Sequence, residues 1–198
     1  MRLGMVLAVL LLLLVANPPS AVGAASGDDQ YTLAANHYAH RRWDLAALEF
    51  QKLLQDHPGH PQRAEALFYR GESLLQLARY EEATESFAAF LTQLPDHVRA
   101  KQARFRQGEA SYLAADYSQA EQCFESFLDQ HDDDPQASLA RAYLGGATLA
   151  IAELEKTPEK EDLARAAKFF RQSLDDDTEG PLAETCRFGL ARSEHLRG

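Results

Sequence analysis

The sequence predicts an all-α protein: a right-handed α-α superhelix of about four helical hairpins, followed by a C-terminal capping helix. The first observation is a period of 37 residues, at which Gly71, Gly108 and Gly145 recur. The second is helical spacing of apolar residues in two blocks per period, for example residues 67–75 and 80–91, separated by a short joint. A fixed period of this size is typical of arrays in which each unit packs on its neighbours.

Four kinds of position carry the period. They are a small residue in the first helix (Ala34, Gly71, Gly108, Gly145), an aromatic residue at the joint (Trp43, Tyr80, Tyr117), an alanine (Ala46, Ala83, Ala120, Ala166) and a phenylalanine four residues later (Phe50, Phe87, Phe124, Phe170). Glycine inside a helix costs about 1 kcal/mol relative to alanine, so its recurrence indicates that two helices approach closely there. We expect the phenylalanines, Phe87 and Phe124 in particular, to be almost fully buried between units.

The chain begins with the features of a secretory signal peptide, which we place at residues 1–25. Arg2 precedes an apolar run over residues 3–16, and small residues follow at 21–26. The run is shorter than the roughly 20 residues that a membrane span needs, although an uncleaved anchor is the alternative. No cysteine follows the run, so we expect no bacterial lipoprotein anchor. We therefore expect an exported protein, periplasmic or extracellular, with no stable membrane insertion after cleavage.

The repeats predict one solenoid domain over residues 28–197. Its units are placed at 28–59, 60–96, 97–134 and 135–179, with the capping helix at 181–197. The pairs Asp134-Pro135 and Gly180-Pro181 are typical of helix starts. The repeat resumes nine residues late after Gly145. We place the insertion at residues 155–162 and expect it to form an exposed, mobile loop between the helices of the fourth unit. The final helix is expected to bury Leu182, Cys186, Gly189 and Leu190 and to expose charged residues.

Charge and cysteines narrow the functional classes. The chain carries 20 Lys and Arg against 30 Asp and Glu, a net charge of −10, which argues against nucleic acid and anionic membranes as partners. Cys123 and Cys186 lie in different units, too far apart for a disulfide, and we expect both to be buried thiols.

The repeat resembles the tetratricopeptide repeat. The likeness rests on the small residue, the joint aromatic, the alanine, the phenylalanine and the prolines Pro58 and Pro95 near the end of the first two units. With its 37-residue period and proline-containing turns over residues 31–190, the chain also resembles two bacterial envelope families. These are the periplasmic coordinator of the Tol-Pal system and the BamD-like outer-membrane assembly proteins. The likeness lies in the repeat, so it implies a fold and a protein-binding role without a specific activity.

Catalytic and metal sites are not expected. His60, His97 and Asp134 fall at equivalent turns of successive units, and the thickness of a unit holds them too far apart to share an ion. We interpret them as solvated turn residues. The acidic runs 132–134 and 175–177 lack the pattern of a calcium loop and precede helices, where negative charge is favourable. No serine elbow, phosphate-binding loop, zinc motif or dinucleotide fingerprint is present, so we expect neither an enzyme nor a cofactor.

The resemblance places the inner, concave face on the first helix of each unit. Eight residues are the candidate protein-binding groove: Tyr31, Tyr38, Phe68, Glu72, Leu75, Phe105, Glu109 and Tyr112. Exposed aromatic rings among carboxylates would bind a peptide whose apolar side chains meet the rings and whose basic groups meet the carboxylates. The alternative is that several of these side chains belong to the core.

We therefore predict a non-catalytic envelope scaffold that binds a protein or peptide partner through its concave face. One alternative is a structural subunit of an outer-membrane or envelope assembly complex. Another is a cell-wall-binding accessory protein, for which Trp43, Tyr80 and Tyr117 would have to be exposed.

Overall fold

The structure is a computed structural model that describes residues 26–155, 157–176 and 178–198. This part of the chain forms nine α-helices and contains no strand: α1 (Gly27–Ala39), α2 (Trp43–Asp56), α3 (Arg63–Gln76), α4 (Tyr80–Gln93), α5 (Ala100–Leu113), α6 (Tyr117–His131), α7 (Ala137–Leu154), α8 (Lys160–Asp176) and α9 (Pro181–Arg197). The predicted signal peptide lies outside the described residues.

The helices pair into four hairpins, α1–α2 to α7–α8, and α9 packs on the last of them. Each helix contacts the next one along the chain. The first helices of successive hairpins also touch one another, whereas the second helices do not. Because the first helices crowd together, they line the concave side of the curved array, and the second helices lie on the convex side.

The first three hairpins share one joint geometry. Arg41, Ala78 and Ala115 lie 37 residues apart and adopt left-handed backbone angles, with φ of 56°, 55° and 60°. The residue after each of them donates its N–H to the carbonyl five residues before it, for example Arg79 to Leu74 at 2.9 Å. This arrangement ends the first helix in a Schellman-type turn and satisfies its last carbonyl groups.

The core follows the repeat. Phe50, Phe87 and Phe124 are each 0% exposed and Phe170 is 3% exposed, which confirms the predicted burial of these residues. A Cβ added to Gly71, Gly108 or Gly145 would lie 2.7, 2.9 or 3.1 Å from the phenylalanine ring of the same hairpin. The recurring glycines are therefore needed because the ring of the second helix rests directly on the backbone of the first. Cys123 and Cys186 are buried thiols, as predicted.

The extra residues of the fourth hairpin lie mainly in its two helices and not in the joint between them, where they were predicted. Helices α7 and α8 contain 18 and 17 residues, against 14 in each of α3 and α4. Most of the extra residues therefore lengthen the two helices, and the joint that remains spans only residues 155–159. The expectation of a loop over 155–162 was wrong in this respect, because residues 160–162 are the first turn of α8. Two helix starts also differ from each other: α9 begins at Pro181 as predicted, but α7 begins at Ala137, two residues after Pro135.

The turn residues have a structural role that the sequence did not reveal. His60, His97 and Asp134 each accept a hydrogen bond from the backbone N–H two residues later, at 3.2, 3.1 and 2.8 Å. The side chain of His60 is only 6% exposed and its ring stacks on Tyr31. The interpretation of His60 as a solvated residue was therefore wrong. These three side chains organise the backbone at the start of the next hairpin, and among the described residues no His, Cys, Asp and Glu cluster could hold a metal ion.

Candidate protein-binding groove

The eight predicted groove residues divide into two groups. Phe68 and Phe105 are 2% and 1% exposed and pack against the phenylalanines of α4 and α6, so they belong to the core and cannot contact a partner. The remaining six are half-buried: Tyr31, Tyr38, Glu72, Leu75, Glu109 and Tyr112. The prediction was wrong for the two phenylalanines because the side chain that faces the groove belongs to the next residue along the first helix. We call this repeat position the groove-facing phase.

That phase is occupied by Tyr69, Arg106, Tyr143 and Gly189, which are not among the eight predicted residues. Tyr69 stacks on Phe50, and Tyr143 stacks on Phe124 with an interplanar angle of 1°. In both cases the tyrosine extends from a first helix over the second helix of the preceding hairpin. A partial signal for this role was present, because tyrosine occupies this position in two units, at Tyr69 and Tyr143, two periods of 37 residues apart.

An ion-pair network fills the middle of the concave face. Arg106 Nε lies 3.0 Å from Glu72 Oε1, and Arg106 Nη1 donates to Glu109 Oε2 at 2.6 Å. The hydroxyl of Tyr143 donates to the other oxygen of Glu109 at 3.5 Å. Both carboxylates that were expected to meet a basic partner are thus already paired within the chain.

Burial makes this network sensitive to the loss of a partner. The side chain of Glu72 is 12% exposed, and burial raises the pKa of its carboxyl, with the charge of Arg106 acting in the opposite direction. Burial and the neighbouring Glu109 raise the pKa of Tyr143 to about 12, so its hydroxyl is a proton donor at neutral pH. Removing Arg106 would leave two carboxylates in a partly desolvated position without their counter-charge.

Aromatic packing closes the N-terminal part of the same face. The rings of Tyr38 and Tyr69 lie 4.7 Å apart, and Arg99 donates to the Tyr69 hydroxyl at 3.0 Å while its guanidinium stacks over the rings of Phe68 and Tyr69. This part of the concave face therefore presents a packed surface to solvent.

The concave face opens at its C-terminal end. A groove of about 420 Å³ lies between α7 and α9, with Tyr112 of α5 at one side and Phe170 of α8 at its base. Its walls include Tyr143 and Gly146 of α7 and Thr185, Phe188 and Gly189 of α9. We call this feature the C-terminal groove. Of the eight predicted residues, Tyr112 is the one that lines it.

Two small residues create the C-terminal groove. Gly189 occupies the phase of Tyr69 and Tyr143, so no side chain extends over Phe170, and a Cβ there would lie 2.4 Å from the Phe170 ring. Gly146 lies against the Tyr112 hydroxyl, where a Cβ would lie at 2.7 Å. At the far end, Arg192 Nε donates to Glu153 Oε1 at 2.6 Å and connects α9 to α7. The result is a concave, largely apolar channel of the size that small ligands or a few peptide side chains fill.

The joint aromatics do not provide an exposed sugar-binding surface. Trp43, Tyr80 and Tyr117 are half-buried, and the rings of Trp43 and Tyr117 pack against Tyr38 and Tyr112 at 5.2 and 5.5 Å. The condition that a cell-wall-binding role requires is therefore not met by these residues.

The hairpins, their joints and the concave face together define a tetratricopeptide-repeat solenoid. The chain is similar to the crystal structure of MamA protein (TM-score 0.66, 13% identity, covering 86% of this chain and 84% of that one). It is also similar to MamA 41-end from Desulfovibrio magneticus RS-1 (0.60, 19%, 85% and 95%). A third match is the putative kinesin light chain of Podosopora anserina with TPR-like repeats (0.61, 14%, 86% and 86%). At these identities the likeness shows the fold, which the sequence predicted.

The family model YfiO, described as outer membrane lipoprotein, matches residues 62–176. Because this match covers more than half of the chain, the chain belongs to that family. The match confirms the resemblance to the BamD-like group. The match begins at the second hairpin and ends with α8, so neither residues 1–61 nor α9 are part of it. No curated protein sequence matches the chain. None of the helices in residues 26–155, 157–176 and 178–198 is long and apolar enough to cross a membrane.

Proposed function

We propose that this chain is a non-catalytic scaffold of the bacterial cell envelope that binds an apolar peptide segment of a partner protein in the C-terminal groove. The observation that carries the proposal is the groove itself, where the concave face is open and lined by Tyr112, Tyr143, Phe170 and Phe188. Rings of this kind, arranged around a pocket, are the usual anchors of protein recognition. Membership of an outer-membrane lipoprotein family supports the location in the envelope.

Within this proposal the other predicted residues have a secondary role. Tyr38, Glu72, Leu75 and Glu109 lie along the concave face toward the N-terminus, where a longer segment would continue. Because Glu72 and Glu109 are paired with Arg106, they give polar contacts and orientation rather than a free negative charge. The segment is therefore expected to be apolar or mixed in character, and not strongly basic.

A structural subunit of an envelope complex is the second candidate, and the family match favours it because the matched residues are the repeats themselves. In that case the contacts would lie on the convex second helices. The two candidates predict crosslinks on opposite faces of the same array.

Site-specific photocrosslinking distinguishes the two faces. A benzoylphenylalanine at Thr185, in the groove, is compared with one at Glu125, which is exposed on the convex helix α6. The proposal expects a discrete crosslinked protein from Thr185 in envelope extract, which disappears when the groove is filled by a second substitution, Ala150→Trp. Crosslinks from Glu125 alone, or crosslinks from Thr185 that survive Ala150→Trp, would place the binding surface elsewhere.

A further inference from the structure

Helix α9 occupies the place of the first helix of a fifth hairpin. Its repeat positions follow those of α7 by 46 residues, for example Gly189 after Tyr143, which is the period of 37 plus the nine extra residues of the fourth unit. In this register Ser193 matches Ser73, and both hydroxyls donate to the carbonyl four residues before them, at 2.8 and 2.7 Å. Arg187 likewise matches Arg141, and each guanidinium donates to a backbone carbonyl nine residues earlier.

The second helix of this fifth hairpin is missing from the described part of the chain. Phe188 matches Phe68 and Phe105, which are 2% and 1% exposed under their second helices, but Phe188 itself is 75% exposed. Ala191 matches the glycines of the earlier units and is also exposed. We call Arg187, Phe188 and Ala191 the α9 end face. Arg187 and Ala191 are not among the residues that line the C-terminal groove, so the end face is a separate surface that meets the groove at Phe188.

The four complete hairpins show what covers such a face. Their second helices share an alanine, a phenylalanine four residues later and an aspartate or glutamine six residues after that: Ala46, Phe50 and Asp56; Ala83, Phe87 and Gln93; Ala120, Phe124 and Gln130; Ala166, Phe170 and Asp176.

The phenylalanine and the polar residue of this pattern each have a physical role. The phenylalanine lies over the small residue of the first helix, as in the contact between Phe124 and Gly108. In the third and fourth hairpins the polar residue at the end accepts a hydrogen bond from an arginine of the first helix. Arg104 donates to Gln130 at 2.8 Å, and Arg141 donates to Asp176. Arg187 lies at the same position as Arg104 and Arg141 and is exposed. The end face therefore offers an aromatic ring, a small residue and a cation in the arrangement that the second helices recognise.

We propose that the α9 end face binds an amphipathic helix of a partner protein with the pattern Ala-x3-Phe-x5-Asp/Gln, which completes a fifth hairpin. The leader over residues 1–25 contains no phenylalanine and cannot supply this pattern. A second copy of the chain is also unsuitable, because the phenylalanines of its own second helices are 0% to 3% exposed and already buried.

A peptide with the sequence of α6 (Tyr117–His131) is the probe, because this helix covers Phe105 and Gly108 in the chain. Isolated helices of this length are only marginally stable, so we expect weak binding, with a Kd on the order of 0.1 mM, measured by fluorescence anisotropy against the full chain. The substitutions Ala191→Lys and Phe188→Ser should each weaken binding at least about tenfold. A peptide carrying Phe124→Ala should lose binding to the same degree.

Two matched variants separate this site from others. Thr185→Trp blocks the groove, and Val98→Ser removes another highly exposed apolar side chain, in the turn before α5; neither should change the affinity for the peptide. The proposal is overturned if the peptide does not bind, or if Ala191→Lys leaves binding unchanged in a chain whose circular dichroism is normal. It is also overturned if light scattering shows a dimer that Phe188→Ser converts to a monomer, because a second copy would then occupy the face. The groove proposal is tested independently, by the crosslink at Thr185.

Discussion

The middle and the C-terminal end of the concave face are built by the same repeat and have opposite character. In the middle, Arg106 joins Glu72 and Glu109 in a closed ion-pair network, and Tyr69 and Tyr38 pack together beside it. At the C-terminal end, the equivalent surface is an open apolar groove of about 420 Å³. First helices of successive hairpins carry both regions, and the side chains that these helices present differ between the two.

One repeat position explains most of this difference. It is occupied by Tyr69, Arg106, Tyr143 and Gly189 in successive first helices. The tyrosines cover the phenylalanine of the preceding hairpin, and the arginine pairs with two carboxylates, so each of them fills the concave face. Glycine fills nothing and lets α9 approach Phe170 closely. In a solenoid, a single position per unit thus decides whether the inner surface is packed or available for a ligand.

The largest expected effect compares Phe68 with Phe188, which occupy equivalent positions. Phe68→Ala should lower the free energy of unfolding by about 3–5 kcal/mol, because it opens a cavity in a closed core. Phe188→Ala should lower it by less than about 1 kcal/mol, because the side chain is 75% exposed. Urea denaturation followed by circular dichroism measures both values. Equal losses would show that the side chain of Phe188 is buried in solution and not exposed.

The next effect tests the close approach of α9. Gly189→Ala should destabilise the chain by about 1–3 kcal/mol, because the added methyl group overlaps the Phe170 ring and α9 must move. Gly59→Ala is the matched control, since nothing lies within 4 Å of its Cβ position and it has no left-handed backbone angle. The control should be neutral or slightly stabilising. A neutral Gly189→Ala would mean that the packing of α9 is looser than the structure shows.

The ion-pair network gives a smaller effect that depends on pH. Arg106→Met should cost about 1–2 kcal/mol at neutral pH, a value reduced by the partial exposure of the arginine. Arg79→Met, which removes the exposed pair with Glu82, should cost at most about 0.5 kcal/mol.

The sign of the pH dependence follows from Glu72. Burial raises the folded-state pKa of Glu72 above its ordinary value of 4.5, and the loss of Arg106 raises it further. A carboxyl with a raised pKa loses its stabilising contribution as the pH rises through the folded-state pKa. The cost of Arg106→Met should therefore be full at neutral pH and should shrink as the pH falls toward 4.5. A cost that grows at acid pH would show that Glu72 is not the group left unpaired.

The smallest effect concerns the charge of the concave face. The double variant Glu72→Gln with Glu109→Gln should change the affinity for a groove-bound partner by less than about threefold, and added salt should have a similarly small effect, because both carboxylates are already paired. Tyr143→Ala should weaken binding about tenfold or more, since it removes an anchor of the groove. Binding that depends strongly on salt and on the two glutamates would place the partner on the middle of the face.

The sequence by itself determined the fold, because periodic residues report contacts that recur in every unit. Gly71, Gly108 and Gly145 marked the close approach of two helices, and Phe87 and Phe124 marked the core between them. The same periodicity identified the first helices as one structural surface. It could not separate Phe68 from Tyr69, since neighbouring residues on a helix point about 100° apart and a shift of one residue exchanges core for groove.

Only the tertiary structure decided the state of each surface residue. Whether Glu72 and Glu109 are free or paired depends on Arg106, which lies 34 residues from the first and three from the second but within 3.0 Å of both. Whether Phe188 is buried depends on a second helix that the earlier units have and that α9 lacks in the described chain. Whether a side chain is buried or paired depends on the residues that lie opposite it in the fold. A periodic sequence predicts such a partner only where the partner recurs in every repeat.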